Sequence, residues 1–156
     1  MKQQGEFALS FWCHIPLVRE GGKLIRTPKE AADEMAEFRD AAQELFGGLY
    51  LNTRNRLLDK RIIAVGMTNA CLIQPKEVFR QGVILLAESI VLFHTHPSGD
   101  PTPSAEDLRI TRKMVQSGQI LGIQVIDHII IGRLGVDRPL DFISMRESGL
   151  CEFNRG

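Results

Sequence analysis

Apolar and polar positions follow two periods that take turns along the chain. In "TPKEAADEMAEFRDAA" (27–42), Ala31, Met35, Phe38 and Ala42 step by four, three and four residues, one face of an amphipathic helix. Thr27 stands ahead of it as an N-cap and Pro28 takes the first helical position, where a missing N–H costs nothing. "ELFGGLYLN" (44–52) then reads as a strand and "TRNR" (53–56) as a turn. "LLDKRIIAVG" (57–66) reads as a strand returning on the first as a hairpin. "PKEVFRQGVILLAE" (75–88) opens on proline as a second helix. "SIVLFHTH" (89–96) is mostly apolar, as a strand buried on both faces would be. "SAEDLRITRKMVQSG" (104–118) is a third helix with Gly118 as its terminating glycine. "LGIQVIDHIIIG" (121–132) is another buried strand and "LDFISM" (140–145) a short last one. Upstream, "FWCHIPLVRE" (11–20) reads as a first strand closed by Gly21-Gly22. Alternating strands and helices predict an α/β fold, a mixed β-sheet flanked by helices.

Composition narrows this only a little. A chain of 156 residues is the size of one domain and buries a core without staples. The expected division is an N-terminal strand and extension over 1–26 and the main domain over 27–150, the whole forming one compact unit. Lysine and arginine balance aspartate and glutamate at 19 each, so net charge offers nothing to a polyanion. Nucleic acid is therefore not supported as a partner. The apolar runs are too short to span a bilayer, and the first 18 residues lack a signal-peptide pattern. Cys13, Cys71 and Cys151 form no CxxC pair and leave one odd thiol, which fits a reducing, cytoplasmic setting.

The chemistry gathers in "FHTHPSGDPTPSAED" (93–107). Alternation along a strand puts His94 and His96 on one face. Ser104, three residues before Asp107, makes a capping box with Asp in place of the usual Glu. Each part has an innocent explanation as strand, turn and cap. Together they also put two imidazoles at a strand's carboxyl end, facing a carboxylate in the next helix's first turn. Two His and one carboxylate leave a fourth tetrahedral position for water, the pattern of a catalytic zinc site. Ser104 can serve as cap and still present its hydroxyl there.

His94-Thr95-His96-Pro97, six residues, Ser104, two residues and Asp107 resemble the JAMM (MPN+) metalloprotease motif. "HTHPSGDPTPSAEDLRIT" with "LGIQVIDHIIIG" resembles its bacterial RadC-like branch, over about Thr27 to Leu150. The resemblance implies a JAB/MPN (cytidine-deaminase-like) fold and one zinc ion per chain, held by His94, His96 and Asp107. It also implies a catalytic glutamate on an earlier strand. In that branch the glutamate falls in a "QE-F" segment before an "L-TRN" turn, which selects Glu44 in Gln43-Glu44-Leu45-Phe46. Glu77 and Glu88 compete; Glu77 reads better as a first-turn helix acid, and Glu88 matches no motif.

The implied activity is hydrolysis of a peptide or isopeptide bond in a polypeptide substrate, with Glu44 as proton acceptor and Ser104 as oxyanion donor. Two alternatives remain: a non-catalytic MPN-type binding module and a DNA-repair-associated accessory protein. Longer RadC-like proteins carry a helix-hairpin-helix region ahead of this domain, whereas 43 residues precede Glu44 here. Thr95 stands where that branch often has asparagine, and is expected to face away from the ligands. "RLGVDRPLDF" (133–142) departs from the family pattern, and the expectation is that it alters one wall of the site. His128 reads chiefly as a hydrogen-bonded core histidine, with a role behind the ligands or toward substrate as the alternative. Asp127 reads as facing the opposite side of its strand, and His14 as structural or surface. Oligomeric state stays open.

Other chemistries lack their parts. Zinc deaminases need HxE followed by PCxxC. Amidohydrolase-like sites draw on more histidines than the four present. Neither a GxxxxGK[ST] loop nor a GxSxG elbow occurs.

Overall fold

A computed structural model describes residues 22–66 and 73–153. The strand expected over 11–20, with Cys13 and His14, and also Cys71, lies outside the described residues.

Five strands form one mixed sheet in the order β2-β1-β3-β4-β5. β1 (Leu45–Leu51) and β2 (Leu57–Val65) make the expected antiparallel hairpin. On its other side β1 pairs antiparallel with β3 (Ser89–Thr95). β3 runs parallel to β4 (Gln124–Ile131), and β5 (Phe142–Ser144) closes the edge antiparallel to β4. Gly47 is where β1 tolerates no side chain: a Cβ would overlap the Arg61 carbonyl oxygen and the Phe93 ring.

Helices cover both faces. α1 (Pro28–Glu34) lies on one, over Leu49, Leu51, Val91, Phe93, Ile129 and Ile131. α2 (Pro75–Leu85) and α3 (Ala105–Leu121) lie on the other, over Phe46, Tyr50, Ile90, Leu92 and Val125. The split follows from β-strand alternation: odd residues of β3 face α1 and even ones face α3. His94, being even, therefore points to the α3 side.

Three helix ends differ from the sequence expectation; α2 stops at Leu85, with Leu86 as its left-handed cap, rather than at Glu88. α1 starts at the predicted cap, where Thr27 and Glu30 form a reciprocal capping box, but it stops at Glu34 and tightens into a 3-10 turn over Ala36–Phe38. Asp33 and Glu34 fill its last turn with no base present, which opposes the helix dipole. The Lys60 ammonium takes up the freed Glu34 carbonyl at 2.8 Å. α3 is longer than expected. Gly118 lies inside it, pressed so closely on the Ile123 carbonyl oxygen and the Phe79 ring that a Cβ has no room. Gly122, at φ +69°, supplies the left-handed cap instead.

Candidate metal centre

The β3–α3–β4 crossover builds the site. His96 donates its backbone N–H to the Ile131 carbonyl at 2.9 Å, extending the parallel ladder one residue past β3. His96 thus keeps the strand-like register that puts it on the same side as His94. The chain then turns through Gly99, whose φ of +82° suits glycine alone. Asp100 accepts from the Thr102 N–H at 2.9 Å, and Ser104 caps α3.

Asp107 sits in the first turn of α3, 1% exposed. Its Oδ1 accepts from His94 Nδ1 at 2.7 Å, and its Oδ2 lies 3.5 Å from His96 Nε2. The same Oδ2 accepts from both the Ser104 backbone N–H and the Ser104 hydroxyl, each at 2.7 Å. His96 Nδ1 donates to the Asp100 carbonyl at 2.8 Å, which leaves its Nε2 lone pair turned to Asp107. One ligand atom from each of His94, His96 and Asp107 falls within a 4.8 Å group, so the three can hold a metal ion. Two imidazoles and a carboxylate, each already oriented by a hydrogen bond, suit a divalent transition metal.

The electrostatics agree. Burial works against the Asp107 charge, but the His94 and His96 rings beside it and the Ser104 hydroxyl outweigh it. Its carboxyl is held far below the usual carboxylate range. Burial also pulls His96 down, yet the contacts to Asp107 and the Asp100 carbonyl leave it above the ordinary imidazole value. An ionised carboxylate between two imidazoles is thus built into the fold.

Glu44 immediately precedes β1. Antiparallel pairing sets Phe46 opposite His94, so the start of β1 meets the end of β3. Glu44 Oε2 comes to 3.6 Å from His94 Nε2. The cleft over this group has a volume of about 810 Å³, and Glu44, His94, His96, Ser104 and Asp107 all line it.

The family model for the RadC-like JAB domain matches residues 25–150. The chain belongs to this RadC family. It is 42% identical over 132 residues to a UPF0758 protein of Halalkalibacterium halodurans, covering 84% of this chain and 54% of that protein. A UPF0758 protein of Bacillus cereus is 45% identical over 126 residues, 80% of this chain and 53% of its own length. One of Geobacillus is 40% identical over 130 residues, 83% of this chain and 55% of its own. The chain thus spans about half the length of these curated relatives. Among the described residues, no helix is long and apolar enough to cross a membrane.

The competing acids of this RadC-like JAB domain lie elsewhere. Glu77 accepts from the Gln74 N–H at 2.8 Å as the capping acid of α2. Glu88 leads into β3 at the end remote from His94, its backbone bonded to Leu51 and Gln124. Thr95 does face away from His94 and His96, on the α1 side, but it is not idle. Its Oγ1 accepts the Leu45 N–H at 2.9 Å, tying the residue after Glu44 to the end of β3. No sequence pattern pointed to that contact, because it joins two strands across the sheet.

His128 on β4 is fully buried and hydrogen-bonded, with Nδ1 2.6 Å from Thr111 Oγ1. Burial, reinforced by the nearby His94 and His96, pushes it down to about 3, so the ring is neutral. Asp127 points to the opposite face, where its carboxylate accepts from Ser144 Oγ at 2.6 Å and from two backbone N–H groups. The β4–β5 connection, residues 133–142, does not line the cleft as expected but braces the loop after His96: Arg133 donates to the Pro97 carbonyl at 2.5 Å and Arg138 to the Ser98 carbonyl at 2.8 Å. Cys151 is a buried free thiol.

Proposed function

We propose that this RadC-like domain is a zinc-dependent amide hydrolase of the JAMM type, acting in the cytoplasm on a peptide or isopeptide bond of a polypeptide. What carries the reading is the convergence in one open cleft of His94, His96 and Asp107 with a partly exposed carboxylate, Glu44. The donor set favours zinc, and its two nitrogens and one oxygen leave a further position open for chemistry. Zinc bound there supplies Lewis acidity, lowering the pKa of water to about 7 and polarising a carbonyl.

The chain's own residues supply the rest. Glu44 accepts a proton from the attacking water and returns it to the leaving amine. It is the ionisable side chain in the cleft that is neither a proposed ligand nor, like Glu106 and Asp107, in the first turn of α3. Ser104 rotates its hydroxyl away from Asp107 to donate to the developing oxyanion. His94 and His96 stay neutral donors in the metal-loaded state, and Asp107 stays ionised.

The deciding experiment is metal analysis of the purified protein and of His96→Ala, each after incubation with zinc and desalting. About one zinc per chain, lost in the variant, is expected for a three-ligand site. Protein that neither retains nor binds zinc overturns the reading.

A further inference from the structure

Beneath the proposed ligands lies a second buried layer that the hydrolytic reading does not use. Thr111 is one helical turn after Asp107 on α3, and its hydroxyl lies 2.5 Å from the Asp107 carbonyl oxygen and 2.6 Å from His128 Nδ1. A carbonyl only accepts, so the single hydroxyl proton goes to Asp107, and His128 Nδ1–H must donate into Thr111. The result is a directed chain from His128 through Thr111 to the Asp107 backbone. Both Thr111 and His128 are 0% exposed.

The same imidazole also touches the other ligand strand. Parallel pairing sets His128 beside Leu92, and its ring stacks on that of His94 at 6.5 Å between centroids and 17° between planes. Phe46 closes the layer edge-on against both rings, at 5.7 Å from His128 and 6.1 Å from His94. His128 therefore contacts β3 through a ligand ring and α3 through a ligand backbone. Its Nε2 has no partner among the described residues. A buried nitrogen without a partner is costly, and packing alone is served equally well by phenylalanine, so the donor at Nδ1 is what distinguishes histidine here.

We propose that His128, acting through Thr111, is a positioning residue that holds Asp107 and His94 in their ligand arrangement before any ion arrives. It sets metal affinity rather than touching metal or substrate. This rests on the reading of His94, His96 and Asp107 as a zinc site.

The test is zinc affinity of the full chain, measured by competition with a chromophoric chelator, alongside melting of the metal-free protein. Thr111→Val removes the hydroxyl at nearly constant shape, and His128→Phe keeps the stacked ring without the donor. Each is expected to weaken zinc binding about 10- to 100-fold, the usual effect of losing a group that orients a ligand. Thr111→Ser, which keeps the hydroxyl, is expected to bind as the parent does. The double variant should lose no more than the weaker single one, because both break one chain. Variants that bind zinc like the parent overturn the proposal, as does full additivity in the double variant. Thr111→Ser failing as badly as Thr111→Val also overturns it. A parent that binds no zinc brings down the metal reading instead. Should His128→Phe not fold, the Thr111 pair decides alone.

Discussion

Glu44 Oε2 stands 3.6 Å from His94 Nε2, brought there by the pairing of Phe46 with His94 across β1 and β3. The contact belongs to the sheet register rather than to a local motif, so the glutamate is held by two strands at once. Its carboxylate is partly exposed to the cleft, while Asp107 is sealed beneath. Glu44→Gln keeps that shape and removes the proposed base. It should retain zinc and lower amide hydrolysis by about 10²- to 10⁴-fold, read with an internally quenched peptide library. Loss of zinc from the variant, or unaltered turnover, counts against Glu44 as the base.

Ser104 does two jobs that one substitution removes together. Its Oγ accepts the Asp107 N–H at 3.1 Å and donates to Asp107 Oδ2 at 2.7 Å. Ser104→Ala should lower stability by about 1 kcal/mol through the lost cap. It should also weaken zinc binding by about tenfold, because Asp107 loses an orienting donor. Urea denaturation of the metal-free protein and chelator competition separate the two effects. Parent-like zinc affinity would show that the backbone N–H alone suffices to orient Asp107.

Thr95 reaches the Glu44 segment from behind, through the Leu45 N–H at 2.9 Å. Glu44 is fixed on its other side as well, where its carbonyl accepts the Gly66 N–H at 2.8 Å. Thr95→Val leaves the Leu45 N–H buried without a partner, which costs about 1–3 kcal/mol. Turnover should fall while zinc affinity holds, since Thr95 faces away from the proposed ligands. Thr95→Ser should restore both stability and turnover. A zinc affinity that falls with turnover in Thr95→Val would mean that the end of β3 itself has shifted.

These contacts mark what the chain could reveal in advance. The His94, His96, Ser104 and Asp107 cluster was legible because its logic is local: strand alternation, a short turn and a helix cap. The approach of Glu44 to His94 was legible only through family resemblance, since nothing near it in sequence announces that β1 lies antiparallel to β3. The Thr95–Leu45 and His128–Thr111 bonds were not legible at all. Each joins residues on different elements, and which hydroxyl meets which donor depends on the packed register. The end of α1 was missed for an electrostatic reason, because apolar periodicity continued past acids that disfavour a helix C-terminus.

Asp127 gives the fold a pH dependence separate from the candidate metal site. Burial raises its carboxyl above the ordinary value, only partly offset by Ser144, Arg146 and His128. A carboxyl with a raised folded pKa contributes stability that is complete below its unfolded value, about 3.9. That contribution is lost as pH rises through the folded value. Asp127→Asn cannot ionise and so escapes the loss, while its amide oxygen still accepts the His128 N–H, now at 2.7 Å from Oδ1. Metal-free melts should therefore show the variant gaining on the parent between pH 4 and pH 7. A variant-to-parent difference equal at both pH values would mean that Asp127 ionises without penalty.

Gly118 sets two general tendencies against each other, and their sizes decide the outcome. Alanine inside a helix is better than glycine by about 1 kcal/mol, so propensity alone makes Gly118→Ala stabilising. Yet a Cβ there overlaps the Ile123 carbonyl oxygen and stands 3.3 Å from Phe79 Cζ. The first of these is backbone immediately before β4 and cannot swing aside as a side chain would. Overpacking of this kind costs about 1–3 kcal/mol and displaces the α3 contact with the sheet. Gly118→Ala should thus be destabilising in urea denaturation. Gly122→Ala should also be destabilising, by about 1–2 kcal/mol, for the different reason of its left-handed φ. Asparagine separates the two causes: it tolerates the left-handed region, so Gly122→Asn should recover much of the loss, whereas Gly118→Asn should be worse than alanine. A stabilised Gly118→Ala would show that α3 rides further from β4 than the contact with Ile123 implies.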